Sequence, residues 1–166
     1  MAKGYALILL TALVSGVSVF LNRFGVEINN PYVFTFLKNL LVAIVFSCLV
    51  FAPFKRKELA KLTKKQWFLL VLVGLVGGSI PFLLFFKGLS LTTAASGAFL
   101  HKTMFIYATV LAAVFLKERI DKRFLLAAVF LLWGNALFLK GAMFYPNYGD
   151  FLILLAAFLW AGENTL

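Results

Sequence analysis

Residues 92–116 read TTAASGAFLHKTMFIYATVLAAVFL, an apolar run of 25 residues in which Lys102 is the one formal charge. An α-helix rises about 1.5 Å per residue, so about 20 residues cross the roughly 30 Å hydrocarbon core of a bilayer. A helix also satisfies its backbone hydrogen bonds internally, which the interior of a membrane demands. This stretch therefore predicts a transmembrane helix, and the fold depends on how often the pattern recurs.

The same pattern occurs in four more places, bounded each time by charged or turn-forming residues. These runs comprise residues 4–21, 32–51, 67–86 and 124–139. A sixth run, residues 151–162, has 12 residues before Glu163, which is too short to cross a bilayer. We predict an all-α, polytopic membrane protein with five transmembrane helices of one repeat and a truncated sixth helix.

The composition of the chain excludes a soluble domain. Of the 166 residues, 63% are hydrophobic and 13% are charged, and the mean hydropathy is +1.00. Ordinary soluble domains are about 45–50% apolar and about 25% charged, so the excess apolar surface must face lipid. The net charge of +10 comes from basic residues between apolar runs. We therefore interpret it as a topology signal and predict no nucleic-acid partner.

The residue patterns of common enzymes are missing from the sequence. The single Cys48 cannot form a disulfide framework, and the single His101 cannot form a histidine pair. Phosphate-binding, dinucleotide-binding and zinc-hydrolase motifs do not occur. The spans contain no nucleophile beside a base and no pair of carboxylates. We therefore expect no enzyme, no cofactor and no metal site.

Basic residues are divided unevenly between the two ends of the predicted spans. If the spans alternate in direction, eleven basic residues lie on the side of the N-terminus and three on the other side. By the positive-inside rule, the N-terminus is cytoplasmic. The basic segment 54–66 could instead bind anionic lipid headgroups, although a topology signal is the more common use of such a loop. We expect a multi-pass protein of the cell membrane.

The beginning of the chain is similar to its end at an offset of 145 residues. Seven of 18 positions are identical when residues 4–21 are placed on residues 149–166. The second copy begins at a turn cluster, residues 146–150. An odd number of spans per repeat places the second repeat upside down relative to the first, as in many secondary transporters. We predict a first five-helix repeat over residues 1–140, then a linker and an incomplete first helix of an inverted second repeat over residues 141–166.

Two short motifs flank the fourth span. Residues 88–97 (GLSLTTAASG) lead into it, and residues 115–120 (FLKERI) leave it. Further features of the same pattern are Gly134 in the fifth span, Lys38 in the second, and the pair Trp160–Ala161. Together these features resemble the EamA-type five-helix repeat of the drug/metabolite transporter superfamily.

The resemblance covers almost the whole chain and implies a membrane transporter built from two such repeats. Three positions depart from the family pattern. Thr103 stands where many relatives carry a proline, Lys117 where a glycine often precedes the glutamate, and Ser15–Gly16 where Trp-Gly is usual. The departures leave the predicted fold unchanged. They do not allow the substrate specificity of the family to be transferred to this chain.

Two lysines inside the predicted spans are the main candidates for substrate binding. Lys102 is the eleventh of 25 residues, roughly 15 Å from either end, where a charge costs about 2.5–3.5 kcal/mol. We predict that it faces a wet cavity and holds an anionic substrate group or a titrating proton. The alternative is a structural lysine satisfied by backbone carbonyls or by a carboxylate of the other half. Lys38, about 10 Å from the end of its span, could face the cavity or reach the interface.

Polar residues near these lysines complete the predicted site. Asn39 could line the cavity or hydrogen-bond between helices. Thr103 and Tyr107 are candidates for pocket lining. His101 could titrate near neutrality and couple transport to protons, the alternative being a histidine packed against Ser or Thr hydroxyls. Because successive helical residues point about 100° apart, His101 and Lys102 cannot both face the centre of the cavity.

The third span carries Gly74, Gly77, Gly78 and Pro81. Gly74 and Gly78 form a G-x-x-x-G pair, which lets the backbone of a neighbouring helix approach. Pro81 leaves a carbonyl without its intrahelical donor and predicts a kink. These residues could form a hinge for alternating access or a tight static contact.

Three functions are compatible with the sequence. The first is one half of a secondary transporter for a small metabolite, with membrane lipids, the substrate and a second repeat as partners. No carboxylate occurs in the five spans, so their positive interior favours anions or zwitterions. The second is a non-transporting scaffold or lipid-binding subunit. The third, a half-size transporter acting as an antiparallel homodimer, conflicts with the charge bias.

Overall fold

The computed structural model describes residues 2–50, 59, 61–139 and 146–165. We number the helices of these residues α1 (Ala2–Ile28), α2 (Pro31–Val50), α3 (Lys64–Leu91), α4 (Ala94–Phe115), α5 (Lys122–Leu139) and α6 (Tyr148–Glu163). The described part of the chain contains no strand. The predicted all-α, polytopic membrane fold is confirmed.

Four helices of the described residues are long and apolar enough to cross a membrane. They are Gly4–Ile28 within α1, then Pro31–Val50, Lys64–Leu91 and Ala94–Phe115. The fifth predicted span is present as α5, but Lys122 and Arg123 occupy its first turn. Its apolar part, residues 124–139, is therefore about 24 Å long at the helical rise, shorter than the hydrocarbon core.

Helix α3 contains a π-helical segment, Gly74–Ser79, between α-helical residues on both sides. The amide of Ile80 bonds the carbonyl of Leu75, five residues back instead of four. Pro81 follows at once, and because it lacks an amide hydrogen it cannot bond the carbonyl of Gly77. The kink predicted at Pro81 stays a prediction, and the structure has a π segment immediately before the proline.

Helix α4 is interrupted at Thr103. The amide of Thr103 bonds the carbonyl of Leu100 at 3.1 Å, and its hydroxyl donates to the same carbonyl at 2.6 Å. The helix therefore tightens at this residue, and its two parts run from Ala94 to Lys102 and from Met104 to Phe115.

The most buried helix of the described chain is α6, which the sequence analysis treated as a truncated tail. It packs most extensively on the second half of α3, and it also contacts both parts of α4. Its apolar residues Ile153, Ala156 and Ala157 are fully buried. The core around it contains Val26, Phe85, Phe86, Leu89 and Leu100. Small residues explain this position, because they allow α6 to lie close to its neighbours.

One close contact between α3 and α6 joins two glycines. A Cβ atom on Gly88 would lie 2.5 Å from the carbonyl oxygen of Gly149, and one on Gly149 would lie 2.6 Å from the carbonyl oxygen of Gly88. Neither position can hold a larger residue without moving a backbone.

The predicted division of the chain at residue 140 stays a prediction, and residues 140–145 lie outside the described residues.

A buried polar cluster ties three elements together at the end of the bundle where α6 begins. Arg23 of α1 donates from Nε to the carbonyl of Thr92 at 2.9 Å. The hydroxyl of Thr92 donates to Oδ1 of the buried Asp150 at 2.7 Å. The other carboxylate oxygen accepts the amide of Asn147 at 3.0 Å, which completes a capping box at the start of α6.

Candidate substrate cavity

A cavity of about 320 Å³ lies between α1, α2, α3, α4 and α6. This volume is at the lower end of the range that small-molecule sites usually have, about 300–1,000 Å³. Its lining residues are Ser15, Ser18, Val19, Asn22, Lys38, Phe82, Phe85, Phe86, His101, Met104, Trp160 and Asn164. One wall of the cavity is polar and the opposite wall is aromatic.

The polar wall is formed by α1 and α2. Lys38 donates from Nζ to the amide oxygen of Asn22 at 3.3 Å. The amide nitrogen of Asn22 donates in turn to the hydroxyl of Ser18 at 3.1 Å. The chain of bonds holds the lysine ammonium inside the bundle, so the structure places Lys38 in the cavity and not at the interface. Ser15, Ser18 and Asn22 follow the spacing i, i+3, i+7, a polar stripe on an apolar helix that could have revealed this wall from the sequence.

The aromatic wall is formed by α3 and α6. The Nζ atom of Lys38 lies 4.6 Å from the ring centroid of Phe86, close enough for a cation–π interaction. Phe82 and Phe85 contact Trp160 with ring centroids 5.1 and 5.6 Å apart. A ligand in the cavity would therefore meet one ammonium group, several hydrogen-bonding side chains and a set of ring faces.

Trp160 connects the aromatic wall to the π segment of α3. Its indole Nε1 donates to the carbonyl oxygen of Gly77 at 2.7 Å. This carbonyl is the one that Pro81 leaves without a donor, so the tryptophan satisfies a polar group that would otherwise be unpaired in the membrane interior. The ring of His101 packs edge-on against Trp160 at 5.2 Å and against Phe85 at 5.2 Å. His101 thus packs against aromatic rings. The alternative given by the sequence was packing against Ser or Thr hydroxyls.

The structure separates the adjacent residues His101 and Lys102. His101 is half-buried and lines the cavity, whereas the side chain of Lys102 is exposed and is not among the lining residues. The two side chains therefore point in different directions, as the helical geometry predicts. The proposed substrate role of Lys102 stays a prediction, and the lysine that faces the cavity is Lys38.

The remaining predicted lining residues lie around the cavity and not in its wall. Thr103 is half-buried at the break in α4, and its neighbour Met104 lines the cavity instead. Tyr107 packs its ring on Phe158 with centroids 5.8 Å apart, on another face of α6. Asn39 is half-buried beside Lys38. Their roles in binding stay predictions.

The close approach of helices predicted for the third span occurs at a different glycine. A Cβ atom on Gly74 or Gly78 would meet no described atom within 4 Å. A Cβ atom on the buried Gly77 would collide with the carboxyl group of Glu163. The G-x-x-x-G interpretation stays a prediction, and among the described residues it is Gly77 that approaches α6. The hinge role of this segment, with Pro81, stays a prediction.

The described part of the chain contains no group of three or more His, Cys, Asp or Glu side chains that could hold a metal ion. The cavity therefore offers one ammonium group, amides, hydroxyls, an imidazole and aromatic rings to a ligand. These groups suit reversible binding of a small polar molecule inside a bundle of membrane helices, the arrangement of a membrane transporter.

Comparison with known proteins agrees with this class. Residues 2–140 match the EamA-like transporter family, and the chain belongs to that family. It is 27% identical over 171 aligned residues to an uncharacterized transporter from Archaeoglobus fulgidus, in an alignment that covers 99% of this chain and 57% of the relative. The chain thus spans a little over half the length of this curated relative. No solved structure matches the chain. The family and the relative point to a transporter and not to an enzyme, as the sequence analysis expected.

Proposed function

We propose that the chain forms one half of a secondary transporter that moves a small anionic or zwitterionic metabolite across the cell membrane by alternating access about the cavity. The observation that supports this proposal is the position of Lys38. A lysine inside a membrane bundle is costly and usually marks a substrate or ion pathway. Lys38 has an amide and an aromatic ring as neighbours, and the described residues give it no carboxylate partner. An anionic group of a substrate would supply the missing charge.

The aromatic wall and the amides restrict the substrate further. Rings of Phe82, Phe86 and Trp160 can bury apolar parts of a small molecule, while Asn22 and Ser18 can hydrogen-bond its polar groups. A cavity of about 320 Å³ suits a molecule of metabolite size. We propose a carboxylate-bearing or similarly charged metabolite, held with its anionic group toward Lys38 and its apolar part toward the rings.

Alternating access requires elements that can change their contacts. The π segment of α3 and the break at Thr103 are irregular positions in helices that line the cavity, and such positions often act in conformational change. We propose that these segments bend when the bundle changes from a state open to one side of the membrane to a state open to the other side. We further propose that the N-terminus is cytoplasmic and that an inverted second repeat, or a second copy of the chain, completes the carrier.

The experiment compares Lys38 with Lys102 in the full-length protein. Purified protein is screened by thermal shift against amino acids, dicarboxylates and sugar phosphates, and compounds that stabilise it are then tested for uptake into proteoliposomes. Lys38→Gln should weaken binding by about tenfold to a hundredfold, the value of a charge-assisted hydrogen bond of about 1.5–3 kcal/mol. Lys38→Arg should retain part of the binding.

The matched variant Lys102→Gln tests the other lysine, because its exposed side chain lies one residue from the cavity. We expect it to bind the compound with an affinity close to that of the unmodified protein. Loss of binding in Lys102→Gln together with unchanged binding in Lys38→Gln would overturn the assignment of Lys38. A folded protein that binds and transports none of the compounds would favour the alternative of a scaffold or lipid-binding subunit.

A further inference from the structure

The carboxyl group of Glu163 lies against the middle of α3. The side chain of Glu163 packs directly on the backbone of Gly77. Gly77 is the fourteenth of the 28 residues of α3, about 20 Å from each end of that helix. If α3 crosses the membrane along its length, we infer that this carboxyl group lies deep in the membrane interior.

Within the described chain this carboxyl group has no hydrogen-bond donor and no salt-bridge partner. The side chain of Glu163 is half-buried. An ionised carboxylate there places uncompensated charge in the membrane interior, and binding a proton removes that charge. Ionisable residues in such positions commonly belong to proton pathways.

We propose that Glu163 binds and releases the proton that couples transport to the proton gradient, an inference that rests on the transporter function proposed above. A metal cation is a poor alternative, because the described residues supply no cluster of ligands. The carbonyl oxygen of Gly77, the residue on which Glu163 packs, already accepts a hydrogen bond from Trp160 at 2.7 Å. A proton needs one carboxyl group only.

The site also connects protonation to the shape of α3. Gly77 contacts Glu163 through its Cα position and Trp160 through its carbonyl oxygen, and it lies in the π segment. A neutral carboxyl group gains an O–H donor that an ionised one lacks. The proton therefore changes the bonds available to the irregular turn of α3, and it favours one arrangement of α3 and α6 over the other.

Other titratable groups face α6 from the helices packed on it. From α4, His101 touches Trp160, Tyr107 touches Phe158, and Lys102 is exposed. From α3, Lys87 lies near the far end and contacts the ring of Tyr32. On α6 itself, Asp150 is bonded to Thr92 at the opposite end.

Lys38 of α2 faces the cavity, which Asn164 also lines beside Glu163. Among these groups, His101 is the competing proton carrier, and the experiment separates the two.

The test measures proton binding without a substrate. Infrared difference spectra across a pH titration report the carbonyl band of a protonated carboxyl group in the full-length protein. Fluorescence of Trp160 is followed in parallel after the other tryptophans of the full-length protein, including the exposed Trp67 and Trp133, are replaced by Phe. We expect a pH-dependent carboxyl band and a fluorescence change with the same midpoint. Glu163→Gln should lose both signals, whereas Glu118→Gln, at an exposed position in the loop after α4, should keep both.

Two further variants control for failure to fold and for proton binding by His101 in place of Glu163. Glu163→Asp keeps a carboxyl group and should keep both signals with a shifted midpoint. His101→Asn should leave the carboxyl band unchanged. Retention of both signals in Glu163→Gln, or their loss in His101→Asn, would overturn the assignment to Glu163.

The transport assay distinguishes this inference from the transporter proposal itself. With an active substrate, uptake by Glu163→Gln should no longer depend on the pH gradient, while uptake by Glu118→Gln should keep that dependence. Gradient-dependent uptake in Glu163→Gln would refute the coupling role and leave the transporter intact. A normal carboxyl signal in a protein that transports nothing would refute the transporter and, with it, the coupling role.

Discussion

Lys117, at the end of α4, is the non-glycine residue of the described chain that has a positive φ angle, 55°. The amides of Leu116 and Glu118 both bond the carbonyl of Ala112, at 2.9 and 3.4 Å, so the helix closes through a left-handed residue. This conformation costs most residues about 1–2 kcal/mol and suits glycine. The positive φ angle therefore makes Lys117 an unfavourable residue at this position.

Lys117→Gly should therefore stabilise the protein by about 1 kcal/mol. Chemical unfolding of the purified protein in detergent, followed by circular dichroism, measures the change. Arg119→Gly is the control, because Arg119 lies in the same loop without a positive φ angle and should lose stability. Equal losses in both variants would contradict the explanation.

At the scale of the element, the contact of α3 with α6 depends on the absence of side chains. Gly88→Ala would place a Cβ atom 2.5 Å from the carbonyl oxygen of Gly149 and 2.7 Å from Cγ1 of Ile153. We expect a loss of about 1–3 kcal/mol, the usual cost of overpacking. Thermal unfolding in detergent measures it. Gly16→Ala is the control, since its Cβ atom would meet no described atom within 4 Å and alanine favours the helix. A Gly88→Ala protein as stable as the Gly16→Ala protein would show that the two helices can separate at no cost.

At the scale of the whole molecule, the Asp150 cluster joins α1, the turn between α3 and α4, and α6. Asp150→Asn replaces one acceptor oxygen by a donor, so the hydroxyl of Thr92 or the amide of Asn147 loses its partner. We expect a loss of about 1–3 kcal/mol in unfolding free energy, the cost of a buried polar group left unpaired. Asp121→Asn, on an exposed turn, should change stability by less than about 0.5 kcal/mol. Equal effects of the two substitutions would show that the cluster contributes nothing.

The distribution of basic residues predicts the orientation of the whole molecule in the membrane. In a full-length protein from which Cys48 and any further cysteine have been removed, a cysteine at the exposed Tyr148 should react with an impermeant maleimide in intact cells. A cysteine at the exposed Lys61, next to the basic loop, should react only after the cells are opened. The reverse labelling pattern would place the N-terminus outside.

Much of the fold was predictable from the sequence because the constraints that a membrane imposes are local. The long apolar runs predicted the helices. The geometry of a helix predicted that only one of His101 and Lys102 could face the cavity. The polar stripe of α1 was not predicted, although its helical spacing is visible in the sequence. The burial of α6 was not predicted because it depends on neighbours distant in the chain.

The cavity could not be predicted from local sequence patterns, because the residues that line it come from helices distant in the chain. The sequence by itself determined that the chain forms apolar helices that cross a membrane, because backbone bonding and lipid exposure depend on residues close together in the chain. Only the tertiary structure decided that Trp160 bonds Gly77, 83 residues away, that Lys38 faces the cavity, and that Glu163 packs on the middle of α3. Helical periodicity states which residues share a face, whereas packing of small residues between helices decides which faces meet.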